Sequence, residues 1–168
     1  MKKLSILLAL IVVTFNSCSI SLKGISIPDS MKTINVQFFE NNAPLVIPTL
    51  SQDFTEALKK RIREQTRLSL SQNEADATIE GRITNYEIVP VTITDNQQLT
   101  PGTNRITITI TAKYTNNINP KQSFEETFTK FKNFPLNGST IQQLEPQLIK
   151  DVNVMLIDDI FNRAFAQW

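Results

Sequence analysis

Histidine is absent from this 168-residue chain, and cysteine occurs once, at position 18. Without histidine there can be no Ser-His-Asp triad and no histidine-ligated zinc or haem; a single cysteine excludes a disulfide within the chain and any Cys/His zinc site. Charge of one sign is also missing. The 17 basic residues face 16 acidic ones, so the chain lacks the electrostatic footprint of a nucleic-acid-binding protein. Nor is there an apolar run long enough to anchor in a bilayer. Leu4 to Val13 (LSILLALIVV) is too short to cross a hydrocarbon core of about 30 Å. These absences point away from an enzyme and leave no catalytic residues, no metal ligands and no cofactor to assign. Stability has to come from packing.

What is present at the amino terminus is ordered like an export signal. Lys2 and Lys3 form a basic n-region, Leu4 to Val13 is the apolar h-region, and Thr14-Phe15-Asn16-Ser17 leads into Cys18. The arrangement resembles a bacterial lipoprotein signal peptide, in which a small residue, here Ser17, admits a signal peptidase and the cysteine thiol carries a diacylglycerol. Phe15 and Asn16 depart from the usual residues of that motif. The resemblance implies a signal over residues 1–17, a lipidated tether over 18–32 and a single domain over 33–168. An ordinary signal cut nearby would instead leave Cys18 as a free thiol. Several acyl chains, palmitate among them, would make the anchor effectively permanent at about 0.8 kcal/mol per buried methylene. Ser19 in place of aspartate directs such a lipoprotein to an outer membrane. The absence of an acidic run in SISLKG (19–24) favours the leaflet facing the periplasm.

The mature chain, roughly 150 residues, is long enough for one domain with a real core. Alternation of Ile34, Val36 and Phe38 with polar residues predicts a strand over Thr33 to Phe39. Residues 40–48, with two asparagines and two prolines, end it. Thr49 and Gln52 have the spacing of a capping box, predicting a helix to about Gln65 with Leu50, Phe54, Ala57, Leu58 and Ile62 on one stripe. A polar loop over 69–76 follows. Ala77 to Val91 alternates, with a bulge near Asn85 and Tyr86, and residues 94–103 read as a loop. Asn104 to Thr115 is the clearest strand, Ile106, Ile108, Ile110, Ala112 and Tyr114 on one face and Arg105, threonines and Lys113 on the other. Only one of its faces should be buried. Ser123 to Phe134 returns as a hairpin partner whose phenylalanine phase shifts near its end.

A second helix starts at Thr140, with Gln143 completing another capping box, and runs to about Phe165. Pro146 implies either a start nearer Glu145 or a kink. Its stripe centres on Val152 and then rotates: past Leu156 the apolar residues Ile157, Phe161, Phe165 and Trp168 gather on the other side. The order β-α-β-β-β-α predicts an α+β fold, a two-layer sandwich in which a four-stranded sheet is covered on one face by two helices.

With that order of elements, and on the wording of NVQFFENNAPLVIPTLSQDFTEALKKRI (35–62), LTPGTNRITITITAKYTNN (99–117) and DDIFNRAFAQW (158–168), the chain resembles the LptE family of outer-membrane lipopolysaccharide-assembly lipoproteins, most of all its Bacteroidetes-type members. None of these stretches is a catalytic fingerprint. The resemblance implies a Gram-negative envelope and a partner, the LptD β-barrel, in whose lumen the lipoprotein sits as a plug, supporting barrel assembly and lipopolysaccharide transport to the outer leaflet. The alternative is a periplasm-facing ligand-binding lipoprotein with no barrel partner, which a deep apolar pocket between helices and sheet would favour.

Candidate contacts follow from the face assignments. The threonine face (Thr78, Thr84, Thr107, Thr109, Thr111, Thr127, Thr129) is either a solvated sheet surface or a polar contact for a barrel interior, Thr107 and Thr109 central to it. Arg82, Arg105 and Lys113 share that face and are candidates for lipopolysaccharide phosphates, arginine by bidentate hydrogen bonds. Phe161, Phe165 and Trp168 either fold back over the sheet edge or the first helix, or form an exposed aromatic anchor for a partner. Asp158 and Asp159, about 100° apart on a helix, read as charged surface rather than an acid/base pair.

Overall fold

The computed structural model describes residues 27–166, apart from 46 and 96–97. Its elements are strand β1 (Thr33–Val36), β2 (Glu40–Asn41), helix α1 (Leu50–Gln65), β3 (Ser69–Leu70), β4 (Ala77–Asp95), β5 (Gln98–Asn116), β6 (Phe124–Pro135) and helix α2 (Ile141–Phe165), with a short 3-10 turn at Pro120–Gln122. The strands form one six-stranded sheet in the order β3-β1-β4-β5-β6, with β2 pairing β4 beyond the end of β1. β1 runs parallel to β3 and β4, while β4, β5 and β6 form an antiparallel meander. The α+β class and the two covering helices agree with the sequence. Two further strands, β2 and β3, lie where loops were expected, because a two-residue bridge has no periodicity to detect.

Period-2 alternation explains the meander. Ile79 and Ile83 of β4 and Ile106, Ile108 and Ile110 of β5 are fully buried beneath the helices, and the intervening residues face the other way. The register shifts between Ile83 and Asn85, so Thr84 is the extra residue of a bulge and Tyr86, after it, returns to the core. Pairing continues past the expected loop as far as Asp95 opposite Gln98. Pro101 and Gly102 do not make the turn. They fall within a second register shift, between Val91 and Ile93, where Gly102 has a φ of +81° that a side chain would strain. The β5–β6 register is unbroken, so Phe131 simply stands on the opposite face from Phe124, Phe128 and Phe134.

The first strand is shorter than predicted, and its phase slips. Phe39 rather than Phe38 enters the core: Phe38 is 59% exposed and Phe39 fully buried. The Phe39 N–H donates to Thr55 Oγ1 at 3.1 Å, and its ring packs 5.0 Å from that of Phe54. Gly81 makes room for it. A Cβ there would lie 2.5 Å from both the Phe39 ring and the Thr111 carbonyl oxygen. Asp76 fixes the start of β1 against that of β4, accepting from the N–H groups of Lys32 and Thr33 and from the Thr33 hydroxyl at 2.8 to 3.0 Å. Residues assigned to the tether belong to the folded body as well: Met31 is buried, and Arg67 donates to the Ile27 carbonyl.

The helix starts differ. Thr140 is extended, its hydroxyl accepts from the Gln143 N–H, and the Gln143 side chain accepts from the Thr140 N–H. That is the predicted box. Thr49 has helical backbone angles and makes no side-chain cap, because the chain enters α1 through a turn in which the Leu50 N–H already bonds the Ile47 carbonyl. α2 runs through Pro146 from Ile141, so the later start is not adopted. The Tyr86 hydroxyl donates to Glu145 at 2.5 Å and holds that first stretch to the sheet.

Candidate functional site

α2 makes two kinds of contact, which is why its apolar stripe rotates. Val152, Leu156 and Ile160 are buried toward the sheet, and Lys132–Asp151, Lys130–Asp159 and Arg163–Glu126 ion pairs join β6 to the helix. Further along, Arg61 of α1 reaches Asp158 at 2.9 Å and stacks 5.2 Å from the Phe161 ring. Asp158 and Asp159 thus turn to different neighbours, as adjacent helical residues must. Phe161 and Phe165 are 2% and 1% exposed, with Phe165 edge-on to Tyr114 at 5.9 Å. As partner contacts these two are corrected: they are core, because a helix wedged between sheet and α1 buries both sides. Trp168, like Cys18, lies outside the described residues.

The helix–sheet interface is filled, with Phe54, Leu58, Ile108, Ile110, Val152 and Leu156 fully buried. A groove of about 520 Å³ lies between α1 and α2 instead, with Ala57, Pro146, Ile149 and Ile157 in its lining and Asp53, Lys60, Glu64 and Lys150 around them. The groove lies between the two helices rather than between helices and sheet. Among the described residues no group of acidic, cysteine or histidine side chains is placed to hold a metal, and no helix is long and apolar enough to cross a membrane.

Among the described residues, no helix covers the other face of the meander. Across it run rows of paired residues: Glu80, Lys113 and Glu125; Arg82, Thr111 and Thr127; Asn85, Thr109 and Thr129; Glu87, Thr107 and Phe131; Val89, Arg105 and Asn133. The hydroxyls of Thr109 and Thr129 are 3.0 Å apart and those of Thr111 and Thr127 3.1 Å apart, a ladder of cross-strand hydrogen bonds that orders the surface. Thr107 and Thr109 are on this face, as are the three cationic candidates. They do not form one site. Lys113 is tied to Glu80 at 2.8 Å, and that bond, with the charge of Glu80, raises its pKa. Arg82 has no bonded or ion-pair partner among the described residues; it lies with Lys113 in a polar hollow that also contains Glu40, Glu80 and Glu125. Three carboxylates around two cations make a poor seat for phosphate. Arg105 is eight residues from Lys113 along β5, roughly 27 Å at 3.4 Å per residue. It has a different environment: its guanidinium carbon sits 4.3 Å from the Phe131 ring centroid, and its Nε donates to Asn133 Oδ1 at 2.8 Å. Phe131, 50% exposed, and Val89, 39% exposed, were not singled out from the sequence. The break in the phenylalanine phase was the signal that could have found Phe131.

With fold and faces placed, comparison with known families and structures is informative. The profile of the LptE lipopolysaccharide-assembly family matches residues 31–164. The chain belongs to the LptE family. The match spans the whole helix–sheet body, from buried Met31 to the last turn of α2, and places the protein in lipopolysaccharide assembly. Comparison with curated protein sequences gives no match. Among solved structures, a minor lipoprotein of Acinetobacter baumannii is similar at 17% identity and a TM-score of 0.51, over 79% of this chain and 91% of that one. A hypothetical protein of Chlamydia trachomatis is similar at 8% identity and a TM-score of 0.53, over 82% of this chain and all of the other. At such identities the likeness is one of fold alone and assigns no residue.

Proposed function

We propose that this LptE-family chain is a lipid-anchored, periplasm-facing outer-membrane lipoprotein that occupies the lumen of an LptD-type β-barrel, supports the barrel's assembly and assists passage of lipopolysaccharide to the outer leaflet. The observation that carries the reading is the family match over residues 31–164. Two features of the molecule support it. The uncovered sheet face is polar and hydroxyl-rich, which suits the polar interior of a large barrel, and the residues beneath it, Ile106, Ile108 and Ile110 among them, are fully buried against the helices, so this face is the one left for a partner. The anchor would be the Cys18 thiol, held a short tether away from the folded body.

Depletion of the protein from its native envelope is the test: folded barrel and surface lipopolysaccharide should both fall. Normal amounts of both in its absence would remove the plug function. The anchor is checked separately by the mass of the mature amino terminus, expected to start at an acylated Cys18, and Cys18→Ala should release the protein from the membrane fraction.

A further inference from the structure

The two ends of the open sheet face have opposite chemistry. At the β1 end carboxylates outnumber cations: Lys113 is paired with Glu80 and has Glu125 beside it, and Arg82 shares a hollow with those two carboxylates and Glu40. At the other end, near where β6 stops opposite Thr103, Arg105 is held but not neutralised. Its plane is set by stacking on Phe131 at 4.3 Å, and its Nε is occupied by Asn133 at 2.8 Å. Among the described residues it makes no ion pair; Glu87, diagonal to it across β4 and β5, is on the side away from which it leans. An arginine fixed at its ring face and its Nε has its terminal N–H groups left to offer as a fork. Exposed Val89 and Phe131 flank it.

We propose that Val89, Arg105 and Phe131 form the anchoring point of a protein contact, in which Arg105 donates two hydrogen bonds to a single carboxylate on the partner while Val89 and Phe131 pack against apolar side chains beside that carboxylate. A polyanionic lipid headgroup fits less well. It calls for several cations, and here one arginine stands without a second cation in its own row or the next. An arginine and an aromatic ring beside an exposed valine are instead the usual make-up of a protein–protein hot spot. The inference rests on the barrel reading for the identity of the partner and adds where that partner is gripped.

The experiment uses the full-length tagged lipoprotein in its native envelope, with the LptD-type barrel recovered alongside it as the readout. Arg105→Ala and Phe131→Ala should each lower recovered barrel about tenfold or more. Arg105→Lys should lower it severalfold, since an ammonium keeps the charge but loses the fork and the stacking. Lys59→Ala, on α1, should have no effect. Thermal melts of the purified variants should match the parent. Full recovery of barrel with both Arg105 variants overturns the inference while leaving the plug reading intact. No recovery of barrel with the unaltered chain removes the plug reading, and this inference falls with it. A parallel titration with lipopolysaccharide-containing vesicles separates the sources of negative charge. If Arg105→Ala abolishes vesicle binding and leaves barrel recovery unchanged, the arginine serves a phosphate and the proposal is wrong.

Discussion

β5 presents two surfaces made from one alternating sequence. On one lie Ile106, Ile108, Ile110, Ala112 and Tyr114, none more than 2% exposed; on the other lie Arg105, Thr107, Thr109, Thr111 and Lys113, with neither of the described helices above them. The covered face is buried, so it resists change in either direction of size. The open face is ordered by threonine hydrogen bonds and local ion pairs, which contribute little to folding when solvated. Stability and recognition are thereby separated onto opposite sides of a single sheet. Substitutions on one should cost folding, and on the other should cost partner binding alone.

Two phenylalanines give the sharpest form of that comparison. Phe161→Ala removes a ring that is 2% exposed and should destabilise by about 3 to 5 kcal/mol, measured by urea or thermal unfolding. Phe131→Ala removes one that is 50% exposed and should change stability by no more than about 0.5 kcal/mol. Equal losses in the two variants would mean that the open face also carries the fold. Next in size is overfilling. Gly81→Ala places a Cβ 2.5 Å from the Phe39 ring and the Thr111 carbonyl, and should cost about 1 to 3 kcal/mol. Were Gly81→Ala neutral, the packing of Phe39 under β4 would have to be looser than the geometry indicates.

The helix caps come third and are also a contrast. Thr140→Ala deletes a formed capping box and should cost about 1 kcal/mol. Thr49→Ala deletes a hydroxyl that caps nothing, so its effect should be near zero in the same melt. The sequence made these two threonines look alike, each followed three residues later by glutamine. What separates them is backbone conformation at the residue itself, set by the turn from Ile47 in one case and by an extended approach in the other, and that depends on how the preceding loop packs.

The same distinction explains what was legible in the sequence. Long alternation read β4 over Ala77 to Val91 with a bulge near Asn85 and Tyr86, beside the Thr84 bulge observed, and assigned both faces of β5, because burial of one face enforces a strict period. The paired ends of both strands fell in the segment expected as a loop, 94–103. The rotation of the α2 stripe could be computed from spacing alone, but its cause could not, since spacing does not show that Phe161 meets Arg61 across to α1. β2 and β3 had no periodic signal. Of the site, the polar face and the three cations on it were readable. Their separation into a carboxylate-rich end, with Lys113 and Arg82, and an end where Arg105 lies over a ring was not, because Lys113 meets Glu80 and Arg105 meets Phe131 only through strand register.

The tyrosines extend the comparison to alkaline pH. Both tyrosines of the chain, Tyr86 and Tyr114, are on the covered face. Burial, helped at Tyr86 by its bond to Glu145, raises that phenol's pKa, and burial pushes Tyr114 up to about 12. The unfolded chain therefore releases protons near the ordinary tyrosine value of about 10 while the folded chain keeps them, and stability should decline as pH rises above that value. Near pH 11 the folded protein should show almost no tyrosinate absorbance, which should appear only as the chain unfolds. Early ionisation without unfolding would show water reaching the covered face.

The smallest effect belongs to an exposed junction. Asp76 has its pKa lowered, first by the Lys32 N–H, then by the N–H and hydroxyl of Thr33. A folded-state pKa below the unfolded one means that the unfolded chain binds more protons as the solution is acidified, so this carboxylate's contribution is present above its ordinary value and is lost as pH falls through the lowered one. Asp76→Asn should lower stability near neutrality, where the ionised carboxylate makes its bonds, and leave it unchanged once pH has fallen through the lowered value, so that the acid limb of the stability curve is flatter. Because Asp76 joins β1 to β4 and touches neither face of the meander, barrel recovery should follow the unaltered chain at every pH where the variant is folded. A variant that keeps its fold yet loses the barrel would place a second part of the contact at the β1 end of the sheet.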